Sequence, residues 1–181
     1  MTTWEGASPP TFSESVVSFV STLENAKNII VKCVLAIAGI FMAVLLTSVF
    51  MQVVFRYVLR RPLSWSEELA RYTFVWISLL GAAAVIPKSL TQGIDLLVKQ
   101  LPESVQMVVG VITRLLMAVF CAILAFKGYE LTGIVHMQTS AAMSLPMSYV
   151  YFAVPVSAVL MIVILFLDSV ITYRNASSQN L

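Results

Sequence analysis

The chain has 181 residues, of which 59% are hydrophobic and 11% are charged, whereas a soluble domain carries roughly 25% charged residues. This composition indicates a membrane protein. The net charge of +2 is spread along the chain without a basic cluster, which excludes a nucleic-acid-binding protein. Cys33 and Cys121 both lie in apolar runs, so we expect them to behave as small hydrophobic side chains.

The first 28 residues contain a helix start but no span. Pro9-Pro10 precedes Thr11, and Glu14 follows at the spacing of a capping box. Apolar residues then recur at helical spacing. Two interpretations stay open: an interfacial amphipathic helix on the membrane surface, or a solvated lead-in to the next helix. The apolar residues concerned are Phe12, Val16, Phe19, Val20 and Leu23.

Four apolar segments follow, each close to the roughly 20 residues that cross a bilayer. They predict an all-α integral membrane four-helix bundle within residues 29–172, followed by a flexible C-terminal tail at 173–181. Gly81 to Ala84 is a small-residue patch that another helix could approach closely, and Pro155 predicts a kink. The predicted spans are residues 33–55, 67–87, 105–127 and 149–169.

The third span contains Arg114, and a charge at the bilayer centre costs at least ~3 kcal/mol. One interpretation is a crossing from Leu115 to Val135 with Arg114 at its mouth. That choice places Lys127 and Glu130 in the membrane, where their i, i+3 spacing lets them pair. We favour the other interpretation, a single long tilted helix with Arg114 snorkelling to the interface.

No constellation of residues predicts catalysis, a cofactor or a metal site. An enzyme needs converging titratable groups, and we expect spans one, two and four to carry no embedded acidic residue, with Glu130 the only candidate in span three. His136 lies in a loop without a second ligand at metal spacing, so we expect it to be solvated. The chain is therefore expected to do no covalent chemistry of its own.

The segment that joins the first two spans is the richest in polar residues. Pro62 ends the first helix, and Ser64 with Glu67 would cap the second. Aromatic residues there suit the interface belt, and charges one turn apart can form local ion pairs. Two interpretations remain, a well-capped structural corner and a surface that docks a partner protein. The residues concerned are Arg56, Tyr57, Arg60, Arg61, Ser64, Trp65, Glu67, Glu68 and Arg71.

These residues resemble the DctQ-type small membrane subunit of a tripartite ATP-independent periplasmic (TRAP) transporter. The first block of the resemblance is Gln52-Val53, Arg56-Tyr57, Pro62, Ser64-Trp65, Glu67-Glu68 and Ala70. It continues through Trp76, Gly81-Ala82, Asp95, Leu101-Pro102, Gly128, Leu145-Pro146, Tyr151 and Pro155. Two positions depart from the pattern. Thr91 stands where similar subunits often carry a histidine, and Ser144 stands where glycine is common, a change that we expect to be minor.

The resemblance implies a role as a partner. In such systems a periplasmic protein captures the substrate, and a large multi-span subunit moves it inward with a sodium gradient. The small subunit braces the large one, with membrane lipids at the contact, and needs no cofactor of its own, since sodium belongs to the large subunit. Because this chain ends after span four, we expect the large subunit to be a separate chain.

The resemblance also implies the orientation, which a count of five basic residues on each side leaves open. Both termini are expected in the cytoplasm and the corner in the periplasm, in the inner membrane of a bacterium that takes up organic acids. The corner charges would partly pair with one another and partly contact a partner protein. One alternative is an autonomous four-span transporter acting as a homodimer; another is a membrane-embedded enzyme subunit or cofactor carrier.

Overall fold

The computed structural model describes the backbone of residues 12–61, 63–92 and 103–179, and side chains within 20–61, 63–86, 105–106 and 108–174. This part of the chain is built almost wholly from helices, with one short 3₁₀ turn and one isolated β-bridge. The helices are α1 (Phe12–Tyr57), α2 (Ser64–Gln92), α3 (Glu103–Ile134) with the 3₁₀ turn Val135–Met137, α4 (Ser148–Tyr151) and α5 (Ala153–Gln179).

Four stretches within these helices are long and apolar enough to cross a membrane, which confirms the prediction of an all-α membrane protein with four spanning helices. Their length follows from apolar runs that have no charged residue for most of a bilayer thickness. The stretches are Val20–Tyr57, Ser64–Ile86, Val108–Met137 and Ser148–Arg174.

The described residues toward both ends of the chain are helical. The segment considered for a surface helix is continuous with the first span, since α1 runs unbroken from Phe12 to Tyr57. The segment expected to be a flexible tail from residue 173 is helical as far as Gln179. Several residues used in the sequence analysis lie outside the described backbone: Pro9, Pro10, Thr11, Pro62, Asp95, Leu101, Pro102, Asn180 and Leu181. The side chains of Phe12, Glu14, Val16, Phe19 and Thr91 are likewise outside the description.

The core lies where α1, α2 and α5 meet, and α3 packs onto the outer side of α5. Small residues let the helices approach. Ala83 and Ala84 of the predicted small-residue patch are buried, whereas a side chain at Gly81 would meet open space. A buried cluster of Val34, Ala38, Leu80 and Ala84 joins α1 to α2, with the Phe41 and Trp76 rings 5.9 Å apart beside it.

The contact between α3 and α5 is closest at Gly128. A Cβ atom placed there would lie 2.9 Å from Val154 Cγ1 and 3.1 Å from Pro155 Cδ, so only glycine fits without movement. Pro155 lies in the first turn of α5, and the helix is interrupted three residues earlier, at Phe152. The proline explains the interruption because it has no N–H to donate to a carbonyl one turn before it.

Candidate functional site

The corner between α1 and α2 is a sharp reversal of the chain. Beyond Tyr57 the backbone turns through Arg60, which has a φ of 54°, and Arg61 N donates to Phe55 O at 3.1 Å. A non-glycine residue in this left-handed region costs roughly 1–2 kcal/mol. The turn presents three exposed arginines, Arg56, Arg60 and Arg61.

Local ion pairing accounts for only part of the charge at this corner. Glu67 and Arg71 form the i, i+4 pair that their spacing predicts, with Glu67 Oε1 3.5 Å from Arg71 Nη2. Both side chains are exposed, so the pair contributes little to stability. Within the described residues, Arg56, Arg60 and Arg61 have no carboxylate within ion-pair distance. Three cations are therefore left to face outward.

Glu68 binds a distant loop instead of the corner arginines. Its carboxylate accepts hydrogen bonds from Ser140 Oγ, from Ala142 N at 3.1 Å and from Met143 N at 3.1 Å. Ser140 Oγ in turn accepts one from Met143 N at 3.2 Å. Hydrogen bonds to an ionised carboxylate are stronger than neutral ones. A single side chain of α2 thus holds the loop that follows α3.

The loop itself has the form of a small hairpin. Ser140 N donates to Leu145 O at 2.9 Å and Met147 N donates to Gln138 O at 2.8 Å, on either side of an isolated bridge between Thr139 and Pro146. Ser144 closes the turn with a φ of 52°. Glycine adopts that conformation without steric cost, so serine at this position carries a backbone strain that glycine would not.

The second helix begins at the predicted residue, but the predicted capping hydrogen bond of Ser64 is not among those described. Ser64 is the first residue of α2, and the hydrogen bonds among the described residues include none from its hydroxyl. The serine that contacts the preceding turn is the buried Ser66, which donates to Leu63 O at 2.8 Å. Trp65 and Tyr57 are exposed, as residues of an interface belt would be.

A second polar cluster lies toward the other end of the helices. Lys27 Nζ of α1 is 3.1 Å from Asp168 Oδ1 of α5, and the side chains are only 16% and 9% exposed. The expectation that the fourth span carries no embedded acidic residue is therefore wrong, because Asp168 lies within Ser148–Arg174. The two acidic residues of α2, Glu67 and Glu68, also lie within a membrane-spanning stretch, Ser64–Ile86.

Arg114 joins this second cluster from α3. Its Nη2 donates to Thr172 Oγ1 at 3.2 Å, and Thr172 Oγ1 donates to Asp168 O at 2.8 Å. The half-buried guanidinium thus faces α5, and α3 continues through Arg114 as one helix. This cluster connects α1, α3 and α5 through residues that are far apart in sequence, which is why sequence reasoning missed Lys27 and Asp168.

Two further features concern the predicted polar residues. Lys127 Nζ and Glu130 Oε2 are 2.7 Å apart, so the pairing predicted from their spacing is present, on an exposed face of α3. His136 is exposed, with Nδ1 3.2 Å from Ser148 Oγ.

Cys121 is buried against α5, with Sγ 3.9 Å from Met161 Sδ, whereas Cys33 is exposed. Within the described part of the chain, His, Cys, Asp and Glu form no group of three that could hold a metal ion.

The two polar clusters lie toward opposite ends of the helices and differ in what they hold. One end presents Arg56, Arg60 and Arg61, which we call the arginine rim, beside a loop that is fixed by Glu68. At the other end, Asp168 connects three helices. Preformed surfaces with exposed charge are suited to docking a partner, since charge steers the encounter and rigidity lowers the cost of ordering.

Comparison with known proteins gives the family. Residues 45–174 match the family model described as "Tripartite ATP-independent periplasmic transporters, DctQ component". The chain is 31% identical over 118 residues, covering 65% of it and 73% of the relative, to a Haemophilus influenzae protein provisionally named a TRAP transporter small permease protein. It is 29% identical over 126 residues to the sialic acid TRAP transporter small permease protein SiaQ of Vibrio cholerae, covering 67% and 70% of the two chains.

A third relative is much longer. The sialic acid TRAP transporter permease protein SiaT of Haemophilus influenzae is 27% identical over 144 residues, which are 80% of this chain and 22% of that one. The family match covers both polar clusters apart from Lys27, together with all four membrane-spanning helices in part or whole. The chain belongs to the DctQ-component family of tripartite ATP-independent periplasmic transporters, as a multi-pass small permease protein.

Proposed function

We propose that this small permease subunit braces the large, substrate-moving subunit of a sodium-driven transporter and helps to dock its periplasmic substrate-binding protein. In this proposal the chain lies in a bacterial inner membrane with both termini in the cytoplasm, binds membrane lipids at the contact, and has neither catalytic activity nor a cofactor. The transported solute is an organic acid, and sodium binds to the large subunit.

The observation that supports the docking role is the fixed surface at the corner. Glu68 is directed away from the nearby arginines and holds Ser140, Ala142 and Met143. Glu68 therefore does not neutralise the positive charge of the arginine rim, and its hydrogen bonds hold the loop beside the rim in place. A soluble partner with an acidic surface would be steered to such a rim, and this steering weakens as salt is added.

The positions of Asp168 and Glu130 argue against an autonomous transporter. Such a protein needs a titratable acid that is open to its substrate. Asp168 is bound to Lys27 between two helices in the interior of the bundle. Glu130 lies on the outer face of α3, bound to Lys127. A supporting role beside another membrane subunit fits these positions better.

The first test is recovery of the complex. Affinity-tagged protein is purified from mildly solubilised membranes of its native host, and the proteins that accompany it are identified by mass spectrometry. An equimolar partner with about ten or more spans supports the proposal. Each span is recognised in its sequence as about 20 consecutive apolar residues. Recovery of the chain with only copies of itself would overturn it.

The second test addresses docking. The recovered complex is reconstituted in vesicles with its binding protein, and uptake is measured for Arg60→Glu/Arg61→Glu at several salt concentrations. Loss of steering should lower uptake by about tenfold or more at low salt and by less at high salt. The matched control is Lys32→Glu, which reverses an exposed cation toward the other end of α1. Equal uptake by the corner variant and the control would contradict a docking role.

A further inference from the structure

The second half of α3 has an outward face that mixes charged and apolar side chains. Cys121 and Gly128 are buried on the side toward α5, next to Met161 and Val154 respectively. Helical geometry at 100° per residue places five exposed residues of α3, and Met137 of the 3₁₀ turn that follows it, on the opposite side. They are Ile123, Phe126, Lys127, Glu130, Ile134 and Met137. The Lys127–Glu130 ion pair lies in the middle of this face, with side chains 67% and 52% exposed.

This face fits neither lipid nor water. Lys127 and Met137 are separated along the helix by about 15 Å, since each residue adds about 1.5 Å. If the membrane boundary lies near Met137, an exposed ion pair faces hydrocarbon, where charges are expensive. If the boundary lies near Lys127, then Ile134 and Met137, which are 67% and 92% exposed, project into water. The first placement therefore leaves a charged pair in hydrocarbon, and the second leaves apolar side chains in water.

The position of Arg114 sharpens the difficulty. Arg114 and Lys127 are about 20 Å apart along α3, and the hydrocarbon core is about 30 Å thick. The two charged levels therefore cannot both lie at the membrane surfaces. Arg114 faces α5 and is bonded to Thr172, so it has a protein environment at any depth. Lys127 and Glu130 have none outside their own helix among the described residues.

Cover by another protein would resolve both problems. The apolar side chains would lie in the core of the interface and the ion pair toward its polar rim, where the partner could supply the hydrogen bonds that the pair needs away from water. A shallow groove borders this face and shares Ile123 and Lys127 with it. It is lined by Phe120, Ile123, Leu124, Lys127, Leu131 and Val154.

We propose that this face of α3, centred on Phe126, Lys127 and Glu130, is where a transmembrane helix of the large permease subunit packs and presents a polar side chain to the ion pair. The assignment rests on the proposed function. The large subunit is favoured over a second copy of the chain because this chain aligns with 22% of the longer permease protein SiaT. In such a chain the rest of the permease is tethered beside the aligned segment.

Site-specific photo-crosslinking tests the assignment in the intact complex. A photoreactive phenylalanine analogue replaces Phe126, which is 70% exposed, and in separate samples replaces Phe50 of α1 or Phe166 of α5, which are 69% and 67% exposed. All three positions are aromatic and lie in membrane-spanning stretches on different helices. The products are identified by mass spectrometry after irradiation in native membranes.

We expect an adduct with the large subunit to dominate at Phe126 and lipid adducts to dominate at Phe50 and Phe166. Only lipid or a second copy of the chain at Phe126, or equal large-subunit yields at all three positions, would overturn the assignment. If no large subunit is recovered with the unmodified chain, the proposed function itself has failed. Recovery of the complex without an adduct at Phe126 removes the α3 assignment alone.

A charge reversal provides an independent readout. Lys127→Glu/Glu130→Lys keeps the ion pair within the helix but reverses its direction, so it should not impair insertion. A polar partner group facing the pair would then meet the wrong charge, and we expect recovery of the large subunit to fall about tenfold. Unchanged recovery together with lipid-only crosslinking at Phe126 would establish a lipid-facing surface.

Discussion

The two polar clusters stabilise different parts of the molecule. At the corner, one carboxylate, Glu68, accepts hydrogen bonds from an uncharged loop, and the charges around it stay exposed. Toward the other end, Lys27 and Asp168 form a mostly buried ion pair between helices, with Arg114 connected through Thr172. The first arrangement fixes the shape of a surface, and the second fixes how helices pack. Damage to the first should be local, whereas damage to the second should spread through the bundle.

The largest expected effect is at the interhelical pair. Asp168→Ala leaves the Lys27 ammonium mostly buried without an anion, and we expect a loss of about 3 kcal/mol in the free energy of unfolding. Unfolding in detergent, followed by circular dichroism, measures this loss. The double variant Lys27→Met/Asp168→Leu should recover most of it, because apolar residues of similar volume can replace a buried ion pair. A double variant as unstable as the single one would show that the pair does more than hold the helices.

The next effect lies between the two clusters, where α3 meets α5. Gly128→Ala places a methyl group within 2.9 Å of Val154 Cγ1, and we expect a loss of about 1–3 kcal/mol as the helices move apart. Gly133→Ala is the matched control in the same helix, since its new methyl group meets open space. The control should be neutral or slightly stabilising, because alanine favours the helix by up to ~1 kcal/mol. Equal losses for both variants would rule out close packing at Gly128 as the cause.

A smaller and local effect is expected at Glu68. Glu68→Gln keeps the shape of the side chain but removes the charge that strengthens the bonds to Ser140, Ala142 and Met143. Amide hydrogen exchange in residues 140–143 should rise by about tenfold while exchange in α1 and α5 stays unchanged. Glu67→Gln is the control, because Glu67 is bound only to the exposed Arg71 among the described residues. A rise in exchange throughout the helices would contradict the local role of Glu68.

The smallest effect is expected in the hairpin loop. Ser144→Gly relieves the left-handed backbone at a φ of 52° and should stabilise the protein by about 0.5–1 kcal/mol. Ser144→Ala, which keeps a Cβ atom, should give no such gain. Thermal unfolding of the three proteins makes the comparison. A gain with alanine equal to that with glycine would assign the effect to loss of the hydroxyl group.

The sequence predicted the features that depend on near neighbours. Uninterrupted apolar runs gave the four spans, and spacings of three or four residues gave the Lys127–Glu130 and Glu67–Arg71 pairs. Charge density drew attention to the corner and to Glu68, but not to its partner Ser140, which is 72 residues away. Lys27 and Asp168 are separated by 141 residues, so no local pattern joins them. The available signal was that a single acidic residue follows a long uncharged run in the fourth span.

The length of α1 has a consequence for how the subunit meets a soluble protein. From Lys27 to Tyr57, α1 is about 45 Å long. The last membrane-spanning stretch, measured from Asp168 back to Ser148, is about 30 Å long. The excess of about 15 Å must be taken up by inclination of α1 or by projection of its end. Projection would place Arg56, Arg60 and Arg61 beyond the level of Ser148, whereas inclination would carry them to one side of it. Where α1 projects, a protein that approaches this side of the membrane would meet these arginines before it reaches Ser148.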